Sequence, residues 1–297
     1  MLRPGPAMTA FVLYTFTRLP NPVHAKVGEF IDRALHYLKG RINPDGIVGM
    51  EPSGPDYPNY ATSLTVISFS TLKPEGWEEM VTRMVEYLKR SQLDETEGWT
   101  PENPEYGGWG FGGPPRPRPD AQRLDISMTR YAIQALFAAR VPHDDPVWSK
   151  ARRFVERRQN LDDGGYSFTP LSGQNKAGDR TSYGTATADG LLCLRFTRGS
   201  RERQDAALKW IESRFTIDRC PGFAPDHPRP WAAGLRGYWL AAATRFADPK
   251  LKSRIAASVI ALQRSDGSWA NPEPIMLENE PLLATALAVR ALTDCEP

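Results

Sequence analysis

A chain of 297 residues is long enough for one large or two small domains, and 40% apolar residues is ordinary for a protein with a substantial core. The 37 Lys and Arg nearly balance the 35 Asp and Glu, so the formal charge of +2 gives no reason to expect nucleic acid or an anionic membrane as partner. Three distant cysteines, Cys193, Cys220 and Cys295, argue against a disulfide framework and favour a reducing, cytoplasmic compartment.

The first predicted element is a short apolar stretch at residues 8–16. It is far shorter than the roughly 20 residues that span a bilayer. A signal peptide would have a similar pattern, with a poor cleavage site near residues 23–25. Because Arg18 and Pro20 interrupt the stretch, we expect a folded helix instead, and membrane association stays open.

A repeat of Thr, a small residue three later and a large apolar residue seven later recurs about every 50 to 67 residues. These spacings place all three residues on one helical face, where small side chains permit close helix contact. In chain order the copies are Thr9/Val12/Phe16, Thr62/Thr65/Phe69, Thr129/Ala132/Leu136, Thr185/Ala188/Leu192, a glycine version Gly234/Gly237/Ala241, and Thr285/Ala288/Leu292.

More charged, amphipathic helices are predicted between these copies. They cover residues 27–39, 78–92, 146–159, 204–215 and 251–263, and glycine- and aromatic-rich turns follow most of them. Alternation of the two helix types predicts an all-α fold, an (α/α)6 toroid with inner and outer helical rings forming one domain over residues 1–297. The alternative is an open α-solenoid, although solenoid repeats are usually shorter and more even.

The turn Gln263-Arg-Ser-Asp-Gly-Ser-Trp269 matches the Q-x-x-x-G-x-W repeat, the QW motif, of squalene–hopene and related triterpene cyclases. Weaker copies stand at residues 159–168 and 92–99, and residues 107–113 resemble the approach to the cyclase active-site helix. Residues 182–190 and 280–285 resemble bacterial prenyltransferase/squalene-oxidase-repeat proteins. The resemblance implies the α/α toroid of terpenoid cyclases and prenyltransferase β-subunits, but a fold does not fix a function.

Protonation-type cyclases carry D-x-D-D-T at the start of an inner helix, and the middle Asp protonates the substrate. Alignment of the motif's Thr with Thr129 leaves the first acid as Asp125 but puts Ser127 at the acid position and Met128 beside it. A hydroxyl cannot protonate an alkene. We therefore expect this chemistry to be absent from the site.

Prenyltransferase β-subunits hold zinc with Asp, a Cys two residues later and a distant His. At Asp163 the Cys position is Gly165, whereas Asp218 and Cys220 form the pair but the helix at residues 234–240 contains no His. His227 leaves a local site open. We expect no zinc and no other cofactor.

The remaining candidates for ligand contact are aromatic residues and buried acids. Aromatic faces bind apolar chains and stabilise cations, although core filling is the alternative for each ring. The ligand-binding candidates are Tyr60, Trp109, Phe111, Tyr131, Tyr183, Trp231, Tyr238, Trp239 and Glu280.

Asp189 and Asp125 are the candidate catalytic acids. Asp189 lies in an apolar helix, where a carboxylate must be paired, hydrogen-bonded or raised in pKa. Its alternative is a structural pairing with Arg130, Arg236 or Arg290. The alternative for Asp125 is a helix cap.

Two functions are compatible with these residues. The first is a binding protein that holds an isoprenoid or another lipid, with a peripheral membrane or protein partner left open. The second is a divergent terpenoid cyclase or prenyl-transferring enzyme that uses Asp189 or Asp125 as acid.

The arginines and prolines at residues 114–119 predict an extended loop, with a diphosphate clamp as the alternative. The oligomeric state does not follow from the sequence.

Overall fold

The structure is a computed structural model that describes residues 4–51, 54–113 and 124–296, apart from the side chains of Asn21 and Pro22. The predicted loop at residues 114–119 lies outside the described residues. The chain divides into two compact units, unit 1 with Met1–Arg158, Thr169–Leu171 and Leu192–Gly199, and unit 2 with Gln159–Phe168, Ser172–Leu191 and Ser200–Pro297. A single domain over the whole chain stays a prediction.

Helices dominate both units. The helices that begin in unit 1 are α1 (Pro6–Phe16), α2 (Asn21–Lys26), α3 (Gly28–Lys39), α4 (Pro58–Leu72), α5 (Trp77–Arg90), α6 (Ile126–Ala138) and α7 (Pro146–Arg158). Those that follow are α8 (Gly184–Phe196), α9 (Arg201–Arg214), α10 (Trp231–Gly234), α11 (Arg236–Ala243), α12 (Pro249–Ile260) and α13 (Pro281–Thr293). Within the described residues the strands are limited to one antiparallel pair, β1 (Met50–Glu51) and β2 (Gly54–Pro55).

The helices that carry the threonine repeat are the buried ones. In α4 every residue from Pro58 to Phe69 is buried, including several with hydroxyl groups. The burial is tolerated because the hydroxyls donate back to the helix: Thr65 to the Ala61 carbonyl and Ser68 to the Leu64 carbonyl, both at 2.8 Å. In unit 1, α4 packs between α1 and α6.

The amphipathic helices cover the buried ones. In α5, Val81, Met84 and Leu88 are buried while Arg83 and Glu86 are exposed. Within unit 1, α3 packs on α1, α5 on α4 and α6, and α7 on α6; within unit 2, α11 and α12 pack on α13. The predicted alternation of buried and amphipathic helices is confirmed.

The apolar N-terminal stretch forms α1, as predicted. Met8, Phe11 and Tyr14 are buried, and the helix packs on α3 and α4. Among the described residues, no helix combines the length and the apolar character that crossing a bilayer requires.

One hydrogen bond of the same kind ties each of four glycine-rich turns to the buried helix that follows it. A threonine hydroxyl oxygen near the helix start accepts a backbone N–H from the turn, which satisfies a donor that burial would otherwise leave unpaired. The four pairs are Val48 to Thr62 (2.9 Å), Trp109 to Thr129 (3.1 Å), Tyr166 to Thr187 (3.0 Å) and Trp269 to Thr285 (3.1 Å).

This hydrogen bond corrects the predicted register of the fourth copy. Thr187 makes the contact, so the copy is Thr187/Gly190/Leu194 and the prediction of Thr185 at this position is wrong. Gly190, three residues later, lies against the Tyr166 ring with no room for a side chain.

Three glutamines hold the turns in a common geometry. The side-chain amides of Gln92, Gln159 and Gln263 donate to the carbonyls of Gly107 (2.9 Å), Gly164 (3.0 Å) and Gly267 (2.9 Å) respectively. Trp109 and Trp269 donate their indole N–H groups to the amphipathic helix before the turn, at Leu88 and Val259, both at 2.7 Å. The aromatic residue matched to Gln92 is therefore Trp109, not Trp99 as the sequence spacing predicted.

Candidate functional site

Four aromatic rings meet on the buried helices of unit 1. The Tyr60 and Tyr131 rings, from α4 and α6, are edge-on with centroids 4.7 Å apart. From α1, Tyr14 approaches Tyr131 at 6.1 Å and Phe11 stacks on Tyr60 at 6.3 Å. We call these four residues the aromatic cluster. Three of its rings carry hydroxyl groups, whereas a core formed only for packing favours side chains without polar atoms.

A buried arginine lies against this cluster. The Arg130 guanidinium carbon is 3.5 Å from the Tyr131 ring centroid, and Arg130 is only 7% exposed. Its Nη1 donates to Gln134 Oε1 at 3.1 Å, and Gln134 Nε2 in turn donates to the Tyr14 hydroxyl at 3.1 Å. The network places a fixed positive charge on one face of Tyr131.

Trp109 and Phe111, also predicted as ligand contacts, lie in the glycine-rich turn before α6. Trp109 is fully buried and its indole N–H is bound to the Leu88 carbonyl. Phe111 is half-buried, with its ring centroid 4.6 Å from that of Tyr57. Trp109 thus fixes the turn to α5, and Phe111 retains exposed ring surface.

In unit 2 a second group of rings surrounds Tyr183. Tyr183 is fully buried, with its ring centroid 5.1 Å from Phe223 and 6.2 Å from Phe168. The Lys176 ammonium lies 3.3 Å from the Phe168 centroid and 5.9 Å from that of Trp231. This group also combines aromatic faces with a cation.

The other two predicted aromatic contacts are on α11. Trp239 is fully buried, and its indole N–H donates to the Thr216 carbonyl at 2.8 Å, which ties α11 to the end of α9. Tyr238 is half-buried.

The predicted acids occupy three different settings. Asp125 is the N-cap of α6, and its Oδ1 accepts the Met128 N–H at 2.7 Å, so it closes the helix as the capping alternative predicted. Asp189 is 5% exposed on α8 and interacts with its surroundings. Glu280 is exposed at the start of α13.

Sequence reasoning missed the buried carboxylate of Glu278. It accepts the backbone N–H groups of Gly237 (2.8 Å) and Tyr238 (2.9 Å) at the start of α11, and the Asn271 amide at 2.9 Å. Burial raises the pKa of Glu278 above its usual range, against the lowering effect of these donors. Two features are connected with this carboxylate. The N-cap residue of α11 makes no side-chain hydrogen bond, so the first N–H groups of the helix need another acceptor. The second feature is Gly237, because a Cβ there would lie 3.0 Å from the Glu278 carboxylate.

The first of the two places compared with the zinc motif is filled by protein contacts. Asp163 Oδ1 accepts from the Gly165 N–H and the Ser182 hydroxyl, both at 2.9 Å, and Oδ2 accepts from the Trp210 indole at 3.0 Å. A Cβ on Gly165 would lie 2.6 Å from Ser182 and from Trp210. A cysteine therefore does not fit at this place.

The second position does not bring its residues together. Cys220 is 1% exposed, and burial raises the pKa of its thiol to about 12, whereas zinc binds the thiolate. Asp218 is exposed, and the His227 Nδ1 contacts the backbone of Arg229. Among the described residues, no three His, Cys, Asp or Glu side chains are grouped as a metal site.

No protein-family model matches the chain, and no curated protein matches it in sequence. Several solved structures match in fold. The type II terpene cyclase MstE from Scytonema, without ligand, is 15% identical with a TM-score of 0.58, and the match covers 99% of this chain and 90% of the cyclase. A variant of that enzyme in complex with its substrate geranylgeranyl dihydroxybenzoate has 17% identity and a TM-score of 0.52 over 97% and 78% of the two chains.

Two other proteins match as well. A protein from Actinoplanes is 19% identical, with a TM-score of 0.61 over 99% of this chain and 91% of that one. A possible member of the GH105 family from Klebsiella pneumoniae is 10% identical, with a TM-score of 0.58 over 98% and 81%. These likenesses confirm the predicted fold class: the chain has a terpene cyclase-like α/α-toroid fold.

Proposed function

We propose that the protein binds an isoprenoid or another apolar ligand through the aromatic cluster, and that it does not protonate alkenes. The observation that carries the proposal is the meeting of Phe11, Tyr14, Tyr60 and Tyr131 on three packed helices, beside Arg130. Aromatic rings offer large, rigid apolar surface to a hydrocarbon chain, and each Tyr hydroxyl adds a polar contact that fixes orientation.

The fold neighbours support the class of ligand. MstE accommodates geranylgeranyl dihydroxybenzoate, a prenylated aromatic acid, on the same fold. A shared fold hosts many activities, so the likeness supports an apolar ligand and leaves catalysis to be argued from the residues.

The position of Arg130 opposes carbocation chemistry at this cluster. A carbocation is stabilised by the electron-rich face of an aromatic ring. The guanidinium already occupies one face of Tyr131 at 3.5 Å, and a second positive charge beside it would be repelled. The same guanidinium favours a ligand that carries an electron-rich or anionic head group.

The acid positions agree with a binding role. Ser127 and Met128 supply no carboxylic acid, and an oxygen of Asp125 is engaged in capping α6. Asp189 is the remaining candidate for a displaced acid. The enzyme alternative therefore predicts that substitution of Asp189 abolishes a cyclic product.

The test begins with mass spectrometry of organic extracts from the purified protein, followed by binding of geranylgeraniol to delipidated protein. Tyr131→Leu should weaken geranylgeraniol binding by a factor of about 2 to 13, because an aromatic contact contributes about 0.5–1.5 kcal/mol beyond its area. Tyr37→Leu is the control: Tyr37 lies on α3 with Arg41 above its ring at 4.9 Å, and it is not a member of the aromatic cluster. Equal affinities of the two variants, or no binding by the wild-type protein, would refute the proposal.

A further inference from the structure

Three glycine-rich turns are each covered by an amphipathic helix. In each turn a glycine with φ between +79° and +89° lies against the backbone of that helix. The three pairs are Gly46 with the Arg83 carbonyl of α5, Gly107 with the Lys150 carbonyl of α7, and Gly164 with the Ala206 carbonyl of α9. A Cβ on any of these glycines would overlap the carbonyl, so the helix rests directly on the turn.

A glutamine adds a hydrogen bond to two of these contacts. Gln92 Nε2 donates to the Val147 carbonyl of α7 at 3.1 Å. Gln159 Nε2 donates to the Arg203 carbonyl of α9 at 2.9 Å. Each of these amide nitrogens also donates to a carbonyl of its own turn, so both of its N–H groups are used and the covering helix supplies the second acceptor.

The covering helices share an apolar pattern. Counted from the residue whose carbonyl meets the glycine, the positions one, four and five residues later are buried on one helical face. They are Met84, Tyr87 and Leu88 in α5, Ala151, Phe154 and Val155 in α7, and Ala207, Trp210 and Ile211 in α9. The position four residues later is aromatic in all three helices.

A fourth turn, at residues 263–269 in unit 2, has the same conformation, but none of the described helices lies on its glycine. Gly267 has φ of +83°, and Gln263 Nε2 donates to the Gly267 carbonyl at 2.9 Å. Among the described residues, a Cβ on Gly267 would approach only Gln263 Nε2, at 3.9 Å. Gln263 is exposed, whereas Gln92 and Gln159 are 2% and 8% exposed. We call residues 263–269 the open turn, because its glycine and its glutamine face solvent.

The surface at both ends of the open turn is apolar. Ile260 and Leu262 at the end of α12 and Leu282 at the start of α13 are 57%, 49% and 55% exposed. Ile260 stands three residues before the glutamine of its turn, as Lys89 does in an earlier copy. Lys89 pairs with Asp145, just before the covering helix α7, at 2.6 Å. An isoleucine at the same position favours an apolar partner there.

The open turn also keeps an acceptor for an aromatic donor. In the turn that α9 covers, Asp163 precedes the glycine and its Oδ2 accepts the Trp210 indole N–H at 3.0 Å. Asp266 precedes Gly267 in the same way, and its Oδ1 accepts the backbone N–H and the hydroxyl of Ser268 at 2.9 and 2.7 Å. Within the described residues Asp266 Oδ2 accepts no hydrogen bond, so it can receive an indole N–H from a helix on this turn.

The amphipathic helices of this chain already bury the face that such a contact requires. Besides the three covering helices, α3 buries Ile31, Leu35 and Leu38, and α12 buries Ile255 and Val259. Among the described residues, a second copy of the chain therefore offers no free helix face of this kind. The matching occupant is a helix of a different protein.

We propose that the open turn, with Ile260, Leu262 and Leu282, is a docking surface for an amphipathic helix of another protein. The helix should carry apolar residues one and five positions after the residue that meets Gly267, and a tryptophan four positions after it. The proposal does not depend on isoprenoid binding, because this surface shares no residue with the aromatic cluster.

A peptide that copies a covering helix provides the probe. Residues 200–215 contain α9 with Ala207, Trp210 and Ile211 at the required spacing. A lactam between Asp205 and Lys209, which are exposed and four residues apart, should hold this peptide in a helix. Calorimetry on the full chain should show saturable binding of one peptide per chain. Trp210→Phe in the peptide should weaken binding by a factor of about 2 to 13, because it removes one hydrogen-bond donor.

Variants of the chain locate the contact. Gln263→Ala should weaken peptide binding by a factor of about 2 to 13, the value of one hydrogen bond. Ile260→Glu places a charge against the apolar helix face and should weaken binding at least about ten-fold. Because Ile260 is exposed, this variant should keep the wild-type melting temperature. The matched control is Leu161→Glu, which should leave binding unchanged, since Leu161 is 80% exposed in the turn that α9 already covers.

The proposal is overturned if the peptide does not bind the wild-type chain, or if Ile260→Glu binds it as tightly as Leu161→Glu does. Sedimentation equilibrium tests the other occupant. A wild-type dimer that Ile260→Glu dissociates would show that a second copy covers the open turn, and would also overturn the proposal.

Discussion

The threonine that ties a turn to its buried helix should contribute more to stability than a neighbouring threonine of equal burial. Thr62 and Thr65 are both fully buried on α4. Thr62 Oγ1 accepts the Val48 N–H from the preceding turn at 2.9 Å, whereas the Thr65 hydroxyl donates to the Ala61 carbonyl of its own helix at 2.8 Å. Substitution to valine keeps the shape of either side chain and removes only the hydroxyl.

The expected magnitudes differ because the groups left behind differ. Thr62→Val leaves the buried Val48 N–H without its acceptor, at a cost of about 1–3 kcal/mol in the free energy of unfolding. Thr65→Val removes a donor from a carbonyl that already belongs to the helix ladder, so the change should stay within about 0.5 kcal/mol. At about 2–4 °C per kcal/mol, Thr62→Val should lower the melting temperature by roughly 2–12 °C.

Thermal and urea unfolding of the two variants measure this difference, and hydrogen exchange locates it. The Val48 amide should exchange faster in Thr62→Val and at the wild-type rate in Thr65→Val, since only the first variant loses its acceptor. Equal destabilisation by the two substitutions, or an unchanged Val48 amide in Thr62→Val, would refute the structural role of this hydrogen bond.

Three other predictions follow from the acids and thiols. Burial raises the pKa of Cys220 to about 12, so iodoacetamide should not label this thiol in the native protein at about pH 8. Elemental analysis of the wild-type protein should find no stoichiometric zinc bound through Cys220. Rapid labelling of Cys220, or one zinc per chain that is lost in Cys220→Ala, would contradict this. Burial raises the pKa of Glu278, so the folded protein binds this proton more tightly than the unfolded chain does. The resulting contribution to the free energy of unfolding is fully present below the pKa of the unfolded carboxyl and is lost as the pH rises through the folded pKa. The melting temperature of Glu278→Gln should thus rise relative to that of the wild type as the pH increases above the pKa of the unfolded carboxyl. A pH-independent difference would contradict this. Squalene should remain unchanged in a gas-chromatographic assay, because Ser127 and Met128 hold no acid and a proton donor contributes about 10²–10⁴-fold. A cyclic product that is lost in Asp189→Asn would show a relocated acid.

The amphipathic helices were predictable because their pattern is one-sided. The predicted segment at residues 78–92 became α5 (Trp77–Arg90), and the segment at residues 251–263 became α12 (Pro249–Ile260). When one face of a helix is exposed to solvent, the alternation of charged and apolar residues shows the helical period. The buried helices lack this contrast, so their register depends on contacts distant in sequence.

The fourth repeat shows this limit. Thr185-Ala-Thr-Ala188 offers two threonines, and either one begins a Thr–small–large pattern. The Tyr166 N–H selects Thr187, and the side-chain-free surface of Gly190 against the Tyr166 ring agrees with that choice. The sequence of α8 alone does not show which threonine is used, because the hydrogen-bond donor, the Tyr166 N–H, lies in the preceding turn.

The buried acid was missed for a similar reason. Glu278 and Glu280 stand two residues apart, and the sequence favours the one next to Pro281 and the helix start. In the structure Leu277 has φ of +62°, which reverses the chain before Glu278 and directs it to the start of α11, while Glu280 is exposed. A single turn conformation thus decides which carboxylate is buried.

The residues that hold the fold are separate from the positions that correspond to the catalytic residues of the cyclase and prenyltransferase motifs. Thr129, which aligns with the last residue of the cyclase motif, accepts the Trp109 N–H and is required by the turn, whereas Ser127 and Met128 are only half-buried beside it. At Gly165 the packing itself excludes the residue of the zinc motif, because Ser182 leaves no space for a cysteine side chain. The helical framework therefore persists without either catalytic motif.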